Sequence, residues 1–349
     1  MNTAKMITGM QVGVFVLIAG SGHVLAQGGH ESADTRVKDT VESGMNSNAG
    51  LPHAIAGPFG FNGKAYYLLE PSTWELSEQA AVANYGAHLV TINDAGENSW
   101  IRNSVLDFDG NGRNGWLGLT DRDVEGDFVW MNNESSDYRN WAPNGEPNGG
   151  ASQNYAAMLD GFLYWYDLSD TWGDQFTPVY GVVELDIPET LAGPFYYDGH
   201  TYYLLDQSNR HQADAAARLL GGLLVTYNDA QEASWVRDNV IQFDGTIRHS
   251  WTGLTDESFE GIFRWDDQSL SSYNSWISGE PNGGAFQNYI AMWKGTTLWF
   301  DAEYNWGASV FGVVEVASPN PCVADLNGDG VLNFFDVSAF LSEFASGCP

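Results

Sequence analysis

Two copies of one sequence pattern run along this chain, and the duplication limits its possible folds more than any other feature. An Ala-Gly-Pro-Phe block begins at Ala56 and again at Ala192, and Tyr-Tyr-Leu-Leu follows each. Later blocks recur in the same order, such as Trp116-Leu-Gly-Leu-Thr-Asp121 and Trp251-Thr-Gly-Leu-Thr-Asp256. Each copy is about 130 residues long, which is the size of a single domain and too long for one solenoid unit. The sequence therefore predicts two domains, at 55–187 and 188–317.

The segments outside the two copies indicate an exported protein. Lys5 precedes an apolar run from Val12 to Ala19, and small residues lead up to Ala26, so we predict a signal peptide over 1–26. The apolar run is too short to cross a bilayer. Residues 27–54 are rich in Gly, Ser, Asn and Asp without apolar periodicity, which is typical of a disordered leader. We therefore expect a secreted protein, extracellular or at the surface of a bacterial cell.

Net charge excludes two classes of partner. The chain carries 45 Asp and Glu residues against 14 Lys and Arg, which gives a formal charge of -31. Such a chain repels phosphate backbones and anionic lipid surfaces, so we expect neither nucleic-acid binding nor membrane insertion. The carboxylates serve either as a solubilising surface or as ligands of hard divalent cations.

Within each copy, hydrophobic periodicity predicts an α+β domain with two helices, antiparallel sheets and one long irregular loop. Alternating residues from Phe59 to Leu69 around Asn62-Gly63 predict a hairpin. Ser72 and Glu75 have the spacing of a capping box for a helix that ends at Gly86. The remaining expected elements are a helix over 97–105, strands at 116–119, 128–130, 155–159 and 180–185, and the long loop at 141–152.

Several landmarks occur in one order in both copies. In the first copy they are Gly86-Ala-His-Leu-Val90, Trp116-Leu-Gly-Leu119, Glu125-Gly126, Glu146-Pro-Asn148 and the closing Gly181-Val-Val-Glu184. This series resembles the C-type-lectin-like family and covers about three quarters of the chain. The resemblance implies a domain whose long loop holds a calcium ion, and a sugar that joins the coordination shell through two neighbouring hydroxyl groups. It also implies mannose-like, glucose-like or fucose-like rather than galactose-like hydroxyl geometry.

The Glu-Pro-Asn triplet suits calcium on chemical grounds as well. Calcium takes six to eight oxygen ligands, and a carboxylate and an amide oxygen separated by a rigid proline can occupy one face of the ion. The family resemblance extends this site in each copy. The predicted sites comprise Glu146, Asn148, Gln153 and Asp167 in the first copy, and Glu280, Asn282, Gln287 and Asp301 in the second.

Both predicted sites depart from the family pattern. Gln153 and Gln287 stand where sugar-binding members usually carry Glu, and Tyr166 and Phe300 stand where they carry Asn. Lower ligand charge predicts weaker calcium binding. An alternative alignment places Trp172-Gly-Asp174 in the role given to Trp165-Tyr-Asp167.

A second group of acids follows the strand that begins at Trp116. Asp121 with Glu125, and Asp256 with Glu260, form either a secondary metal site or a solvated acidic turn.

The last segment, 318–349, predicts a calcium loop of the EF-hand or dockerin type. Oxygen donors fall at the expected loop positions, with Gly330 at the sharp turn, and apolar residues then recur at helical spacing. The predicted ligands are Asp325, Asn327, Asp329, Val331, Asn333 and Asp336, and Cys322 and Cys348 can close the tail with a disulfide. A dockerin normally pairs two such repeats to bind a cohesin, whereas this chain has one, so a sorting or surface-attachment tag is the rival interpretation.

Together these features predict a protein that binds and does not catalyse, because the sequence offers no nucleophile with a base and no open metal position for catalysis. We expect calcium as the cofactor, glycans or glycoconjugates as ligands, and a cell-surface or cohesin-like anchoring protein as a further partner. The alternative is a calcium-independent adhesin with a lectin-like fold that recognises protein or other surfaces, or a non-catalytic component anchored by its tail.

Overall fold

The structure, a computed structural model, describes residues 50–172, 177–306 and 309–317 and four single positions in the tail. All of them belong to one compact unit. The strands of the first copy are β1 (Ala54–Phe61), β2 (Lys64–Pro71), β3 (His88–Leu89), β4 (Asn114–Thr120), β5 (Val129–Trp130), β6 (Tyr155–Met158), β7 (Trp165–Leu168) and β8 (Val179–Asp186). They form an eight-stranded sheet in the order β1-β2-β8-β4-β6-β7, with β3 paired to β8 and β5 to β4.

The second copy forms a sheet with the same topology. Its strands are β9 (Thr190–Tyr197), β10 (His200–Gln207), β11 (Leu223–Leu224), β12 (His249–Thr255), β13 (Arg264–Trp265), β14 (Tyr289–Met292), β15 (Trp299–Ala302) and β16 (Val310–Ala317). Their order, β9-β10-β16-β12-β14-β15, repeats that of the first sheet, with β11 paired to β16 and β13 to β12. The α+β class is confirmed.

The expectation of purely antiparallel sheets is wrong. β4 runs parallel to β8, and β12 runs parallel to β16, while the other pairs are antiparallel. A parallel pair needs a long connection, and β4 and β8 are separated by the whole of the long loop and three further strands, β5, β6 and β7. Periodicity reports which residues face the core and not the direction of a distant partner strand.

Within the described residues, two α-helices flank each sheet, as predicted. These are α1 (Trp74–Tyr85), α2 (Ala95–Trp100), α3 (Arg210–Leu219) and α4 (Ala230–Val236). The cap of α1 is Thr73, whose side chain accepts from the Leu76 amide, so the predicted cap Ser72 lies one residue too early. The helix predicted over 97–105 has two parts in the structure. It begins as α2 and continues as a π-helix from Ile101 to Leu106.

Alternation along β2 divides the first core between the two faces of the sheet. Tyr67 and Leu69 pack on one side with Trp74 of α1, whereas Tyr66 and Leu68 pack on the other with Trp165. The predicted turn between β1 and β2 is confirmed, because Asn62 and Gly63 both have positive φ angles, 48° and 77°. The cluster that contains Trp165 also supports the strand from which the candidate site is built.

Helix α3 of the second copy packs against the first copy. Ala215 belongs to the core cluster that contains Tyr67, and Leu219 packs beside it. Gly86, which caps α1 with a φ of 58°, leaves room for Tyr304 of the second copy, since a Cβ there would lie 2.5 Å from the ring. Both the left-handed backbone and this close approach require glycine. The two sheets are therefore joined by packed side chains and not by the chain connection alone.

His211 of α3 lies in a site that disfavours its charged form. Its ring contacts the rings of Tyr289 and Tyr304, with centroids 5.3 and 4.7 Å away. Burial, with a smaller contribution from the charge of Arg210, lowers the pKa of His211 to about 4. Unfolding restores the ordinary value of about 6.5, so between these two values the unfolded chain binds more protons and stability falls as the pH falls.

We expect this histidine to weaken the fold in acid. Between pH 7 and pH 4.5 the shift accounts for about 2 kcal/mol of unfolding free energy. Urea unfolding at both values should show that His211→Gln loses less stability than the wild type by that amount. His53→Gln, at an exposed position, is the control and should lose as much as the wild type. An equal loss in His211→Gln and the wild type would contradict a His211 that stays neutral in the folded protein.

Candidate functional site

The Glu-Pro-Asn turn lies on the long loop and is anchored to β7. The loop begins beside this strand, where the Trp165 amide donates to Asn140 O and the Ala142 amide donates to Trp165 O, both at 2.9 Å. The Glu146–Pro147 peptide bond is cis, and so is its counterpart Glu280–Pro281. The second loop is anchored in the same manner, because the Ile277 amide donates to Trp299 O at 2.9 Å.

Asp167 is the residue around which the first loop closes. Asp167 is 3% exposed, and its carboxylate accepts from the Asn148 amide at 3.0 Å and from the Gly149 amide at 2.8 Å. Asp301 holds the second loop through the Asn282 amide at 2.9 Å and the Gly283 amide at 2.7 Å. Trp165-Tyr-Asp167 therefore supplies an acid at the loop, whereas Gly173 and Asp174 of the alternative alignment lie outside the described residues.

Gln153 folds back onto the same loop. A Cβ on Gly149 would lie 2.0 Å from Gln153 Oε1, and one on Gly283 would lie 2.1 Å from Gln287 Oε1. A glycine is required at these positions because any side chain would displace the glutamine. The structure thus brings all four predicted residues of each copy to one turn.

Glu146 and Asp167 lie close enough for their charges to interact. Burial, and then the neighbouring Asp167 carboxylate, raise the pKa of Glu146 to about 7. Burial and Asp301 raise the pKa of Glu280 to about 7 in the same way. Two carboxylates that face each other resist full ionisation, and a divalent cation between them would relieve that repulsion.

The secondary acidic pairs lie beside these loops. The Asp121 amide donates to Asn154 O at 3.2 Å, and Asp121 Oδ2 accepts from the Gly126 amide at 2.9 Å. Glu125 Oε1 lies 3.9 Å from the position of a Cβ on Gly150. The second copy repeats these contacts, and burial raises the pKa of Asp256 to about 6, with Glu260 and Asp301 adding to the shift. Each pair therefore adjoins the Glu-Pro-Asn loop of its own copy.

The donor set at these loops fits a calcium ion. Buried oxygens without a hydrogen-bond partner among the described residues occur at equivalent positions in both copies. They are Oδ1 of Asp121 and Asp256, Oε2 of Glu146 and Glu280, and Oδ1 of Asn154 and Asn288. Buried polar atoms are normally paired, so these matched oxygens require partners, and a hard cation such as calcium is one partner that their chemistry fits.

Asn154 and Asn288 are functional candidates that the sequence analysis missed. A signal was present, because Gln153-Asn154-Tyr155 recurs as Gln287-Asn288-Tyr289. In the described part of the chain, no three His, Cys, Asp or Glu side chains are grouped closely enough to hold a metal. Amide and main-chain oxygens would therefore have to complete the shell of any ion.

Tyr166 and Phe300 contribute no oxygen to these sites. Tyr166 packs against the core cluster that contains Tyr67, and Phe300 is buried in the corresponding cluster of the second copy. Because neighbours in a strand point to opposite faces, both side chains lie on the other side of the sheet from Asp167 and Asp301.

Some predicted residues lie outside the part of the chain that the structure describes. These are the tail ligands Asp325, Asn327, Asp329, Val331, Asn333 and Asp336 and the cysteines Cys322 and Cys348. The signal peptide over 1–26 lies outside it as well. The four described tail positions, Phe334, Val337, Ser338 and Leu341, are helical. No described helix is long and apolar enough to cross a membrane.

Comparison with known proteins assigns the class. The family model of the C-type lectin domain matches residues 70–176. A perlucin-like protein from Mytilus galloprovincialis is 32% identical over 120 residues, covering 33% of this chain and 75% of that protein. The chain therefore belongs to the C-type lectin family and carries a C-type lectin domain at residues 70–176.

Other similarities extend further along the chain. C-type mannose receptor 2 from Homo sapiens is 24% identical over 249 residues, covering 65% of this chain but only 16% of the receptor. A solved carbohydrate-recognition domain of cow CD23, crystallised in the presence of GlcNAc2Man3 oligosaccharide, is 31% identical and covers 38% of this chain and 98% of that one, with a TM-score of 0.31. The relatives from Mytilus galloprovincialis and Homo sapiens are animal proteins and give no support to the predicted bacterial source.

Proposed function

We propose that this protein is a secreted, calcium-dependent lectin with two sugar-binding domains, at 55–187 and 188–317. In each domain the ligands of the ion would be the Glu and Asn of the Glu-Pro-Asn turn, the neighbouring Gln and the Asp of the following strand. Two vicinal hydroxyl groups of a sugar would complete the shell. The observation that carries the proposal is the convergence of these residues on Asp167 and on Asp301 by the same contacts.

The composition of each site predicts weak calcium binding. Glu146 and Asp167 supply two carboxylates, while Asn148 and Gln153 supply neutral amides, and fewer charged ligands lower calcium affinity. Asp121 and Glu125 would hold a second ion or stabilise the loop. Two weak sites held in one compact unit can gain about 10²–10⁴-fold in avidity on a multivalent glycan if both engage at once.

Binding to a mannoside tests the proposal directly. Full-length protein titrated with methyl α-mannoside in excess calcium should bind at two sites per chain, and EDTA should abolish the binding. Sugar binding is a better readout than calcium binding, because the tail is itself a predicted calcium loop and its ion would be counted in a calcium titration. A methyl α-galactoside titration is the specificity control and should show weaker binding. Mannoside binding that survives EDTA would contradict the calcium-bridged mechanism.

A second candidate function is calcium-independent recognition of a protein or another surface by the same fold. The observation that favours it is the loss of two family ligands per site, through Gln153 and Tyr166 and through Gln287 and Phe300. The same titration separates the two functions, because a calcium-independent adhesin would bind its target equally well in EDTA.

We further propose that the tail at 318–349 binds calcium and serves as a surface-attachment tag. The spacing of its predicted ligands supports this role, and the exported location follows from the predicted signal peptide. The comparisons give no support to a cohesin-like partner.

A further inference from the structure

The two candidate sites differ in the surface beside the cation ligands. In the second copy, Phe259 is 67% exposed, Ile262 is 50% exposed and Phe286 is 83% exposed. The aligned residues of the first copy are Val124, Asp127 and Ser152. We call Phe259, Ile262 and Phe286 the apolar patch.

Hydrogen bonds place the apolar patch next to the second site. The Ile262 amide donates to Phe259 O at 2.9 Å, so these two residues bracket the turn that carries Glu260. Glu260 Oε1 lies 4.0 Å from the position of a Cβ on Gly284, where the short turn that ends at Phe286 begins. The Asp256 amide then joins the two loops by donating to Asn288 O at 3.2 Å.

We propose that the second site binds a hydroxylated sugar bearing an apolar substituent, such as an aryl or alkyl aglycone, and that the apolar patch contacts this substituent. The inference rests on the proposed function of the same site. Large apolar side chains exposed on adjoining turns beside a ligand site indicate a contact surface, because covering them removes apolar area from water and so stabilises the complex.

The size of the apolar patch favours a small substituent over a protein partner. Stable protein interfaces cover about 800 Å² on each partner, far more than three side chains offer. The chain is strongly acidic, with a net charge of -31, which disfavours an anionic lipid surface as the occupant. An uncharged aglycone that extends from a bound sugar satisfies both conditions.

The duplication supplies an internal control for the test. Calorimetric titration in calcium with methyl α-mannoside and with phenyl α-mannoside is carried out on two full-length variants. Glu146→Gln leaves the second site intact, and Glu280→Gln leaves the first. We expect phenyl α-mannoside to bind about tenfold tighter than methyl α-mannoside to Glu146→Gln, and the two ligands to bind with similar affinity to Glu280→Gln.

Exchanging the three side chains should transfer this preference. Phe259→Val, Ile262→Asp and Phe286→Ser added to Glu146→Gln should reduce the phenyl-to-methyl affinity ratio to about 1, and the reverse changes at Val124, Asp127 and Ser152 in Glu280→Gln should raise it. Equal ratios at the two sites, or a ratio that the exchange does not alter, would overturn the inference and leave the proposed lectin function standing. Failure of both sites to bind either mannoside would overturn the proposed function and the inference with it.

Discussion

The double substitution Glu146→Gln with Glu280→Gln is expected to abolish mannoside binding. Each glutamate supplies the charged oxygen of its Glu-Pro-Asn turn, and the unpaired Oε2 atom occurs in both copies. Altering groups that merely orient the ligands of a metal costs about 10–100-fold in metal affinity, so loss of a direct carboxylate should cost at least about 100-fold. Calorimetry with methyl α-mannoside should show no binding for the double variant and one site per chain for each single variant.

A charge-matched control separates ligand loss from a general change in charge. Asp123 lies in the loop between Asp121 and Glu125, and its side chain is 85% exposed. Asp123→Asn removes one negative charge nearby without removing a proposed ligand, and exposed charges are strongly screened by salt. This variant should bind the mannoside within about twofold of the wild type. Unchanged binding by the double glutamate variant would contradict the assigned ligands.

Trp165→Ala should destabilise the fold strongly, because Trp165 is fully buried at the centre of an aromatic cluster. Its ring makes edge contacts with Trp130, Tyr138 and Trp141, with centroids 5.6 to 5.9 Å away. Replacing a buried tryptophan by alanine costs about 3–5 kcal/mol. Urea unfolding should show this loss. Tyr164→Ala, at an exposed position next to Trp165, should change stability by less than about 1 kcal/mol.

Trp299 is the residue of the second copy that corresponds to Trp165, and comparing the two separates the contribution of packing from that of hydrogen bonding. Trp165 Nε1 donates to Asn98 Oδ1 at 2.7 Å, whereas Trp299 Nε1 has no partner in the described part of the chain. Trp165→Phe leaves a buried amide oxygen unpaired, and Trp299→Phe removes a donor that has no partner. The first should therefore cost about 1–3 kcal/mol more than the second. Equal costs would show that the hydrogen bond to Asn98 contributes nothing to stability.

Local features of the fold were predictable because they depend on neighbouring residues. The turn at Asn62-Gly63 and the end of α1 at Gly86 follow from backbone preferences that glycine and asparagine satisfy. The helix cap is Thr73 and not the predicted Ser72. Both residues carry a hydroxyl group that can cap a helix, and the sequence does not show which one precedes the first turn. The parallel pairing of β4 with β8 depends on residues far apart in the chain, which local periodicity does not report.

The candidate site also combines features that the local sequence predicts with features that depend on tertiary structure. The recurring Glu-Pro-Asn triplet marked the loop in both copies, and Asp167 was chosen by resemblance to a family pattern. Neither the anchoring of Asp167 to the Asn148 and Gly149 amides nor the unpaired oxygen of Asn154 could be deduced from spacing, because both depend on how the loop folds back on β7. Asn154 carries no charge and stands next to a residue already assigned, which explains why it was missed.

A crystal structure of the protein with calcium and methyl α-mannoside would show whether each Glu-Pro-Asn turn binds an ion and a sugar together. We predict an ion in each copy at about 2.3–2.6 Å from oxygens of the Glu-Pro-Asn turn and of Asp167 or Asp301, with two sugar hydroxyl groups in the same shell. A structure in which both turns hold no ion, while the sugar binds elsewhere or does not bind, would contradict the calcium-bridged mechanism.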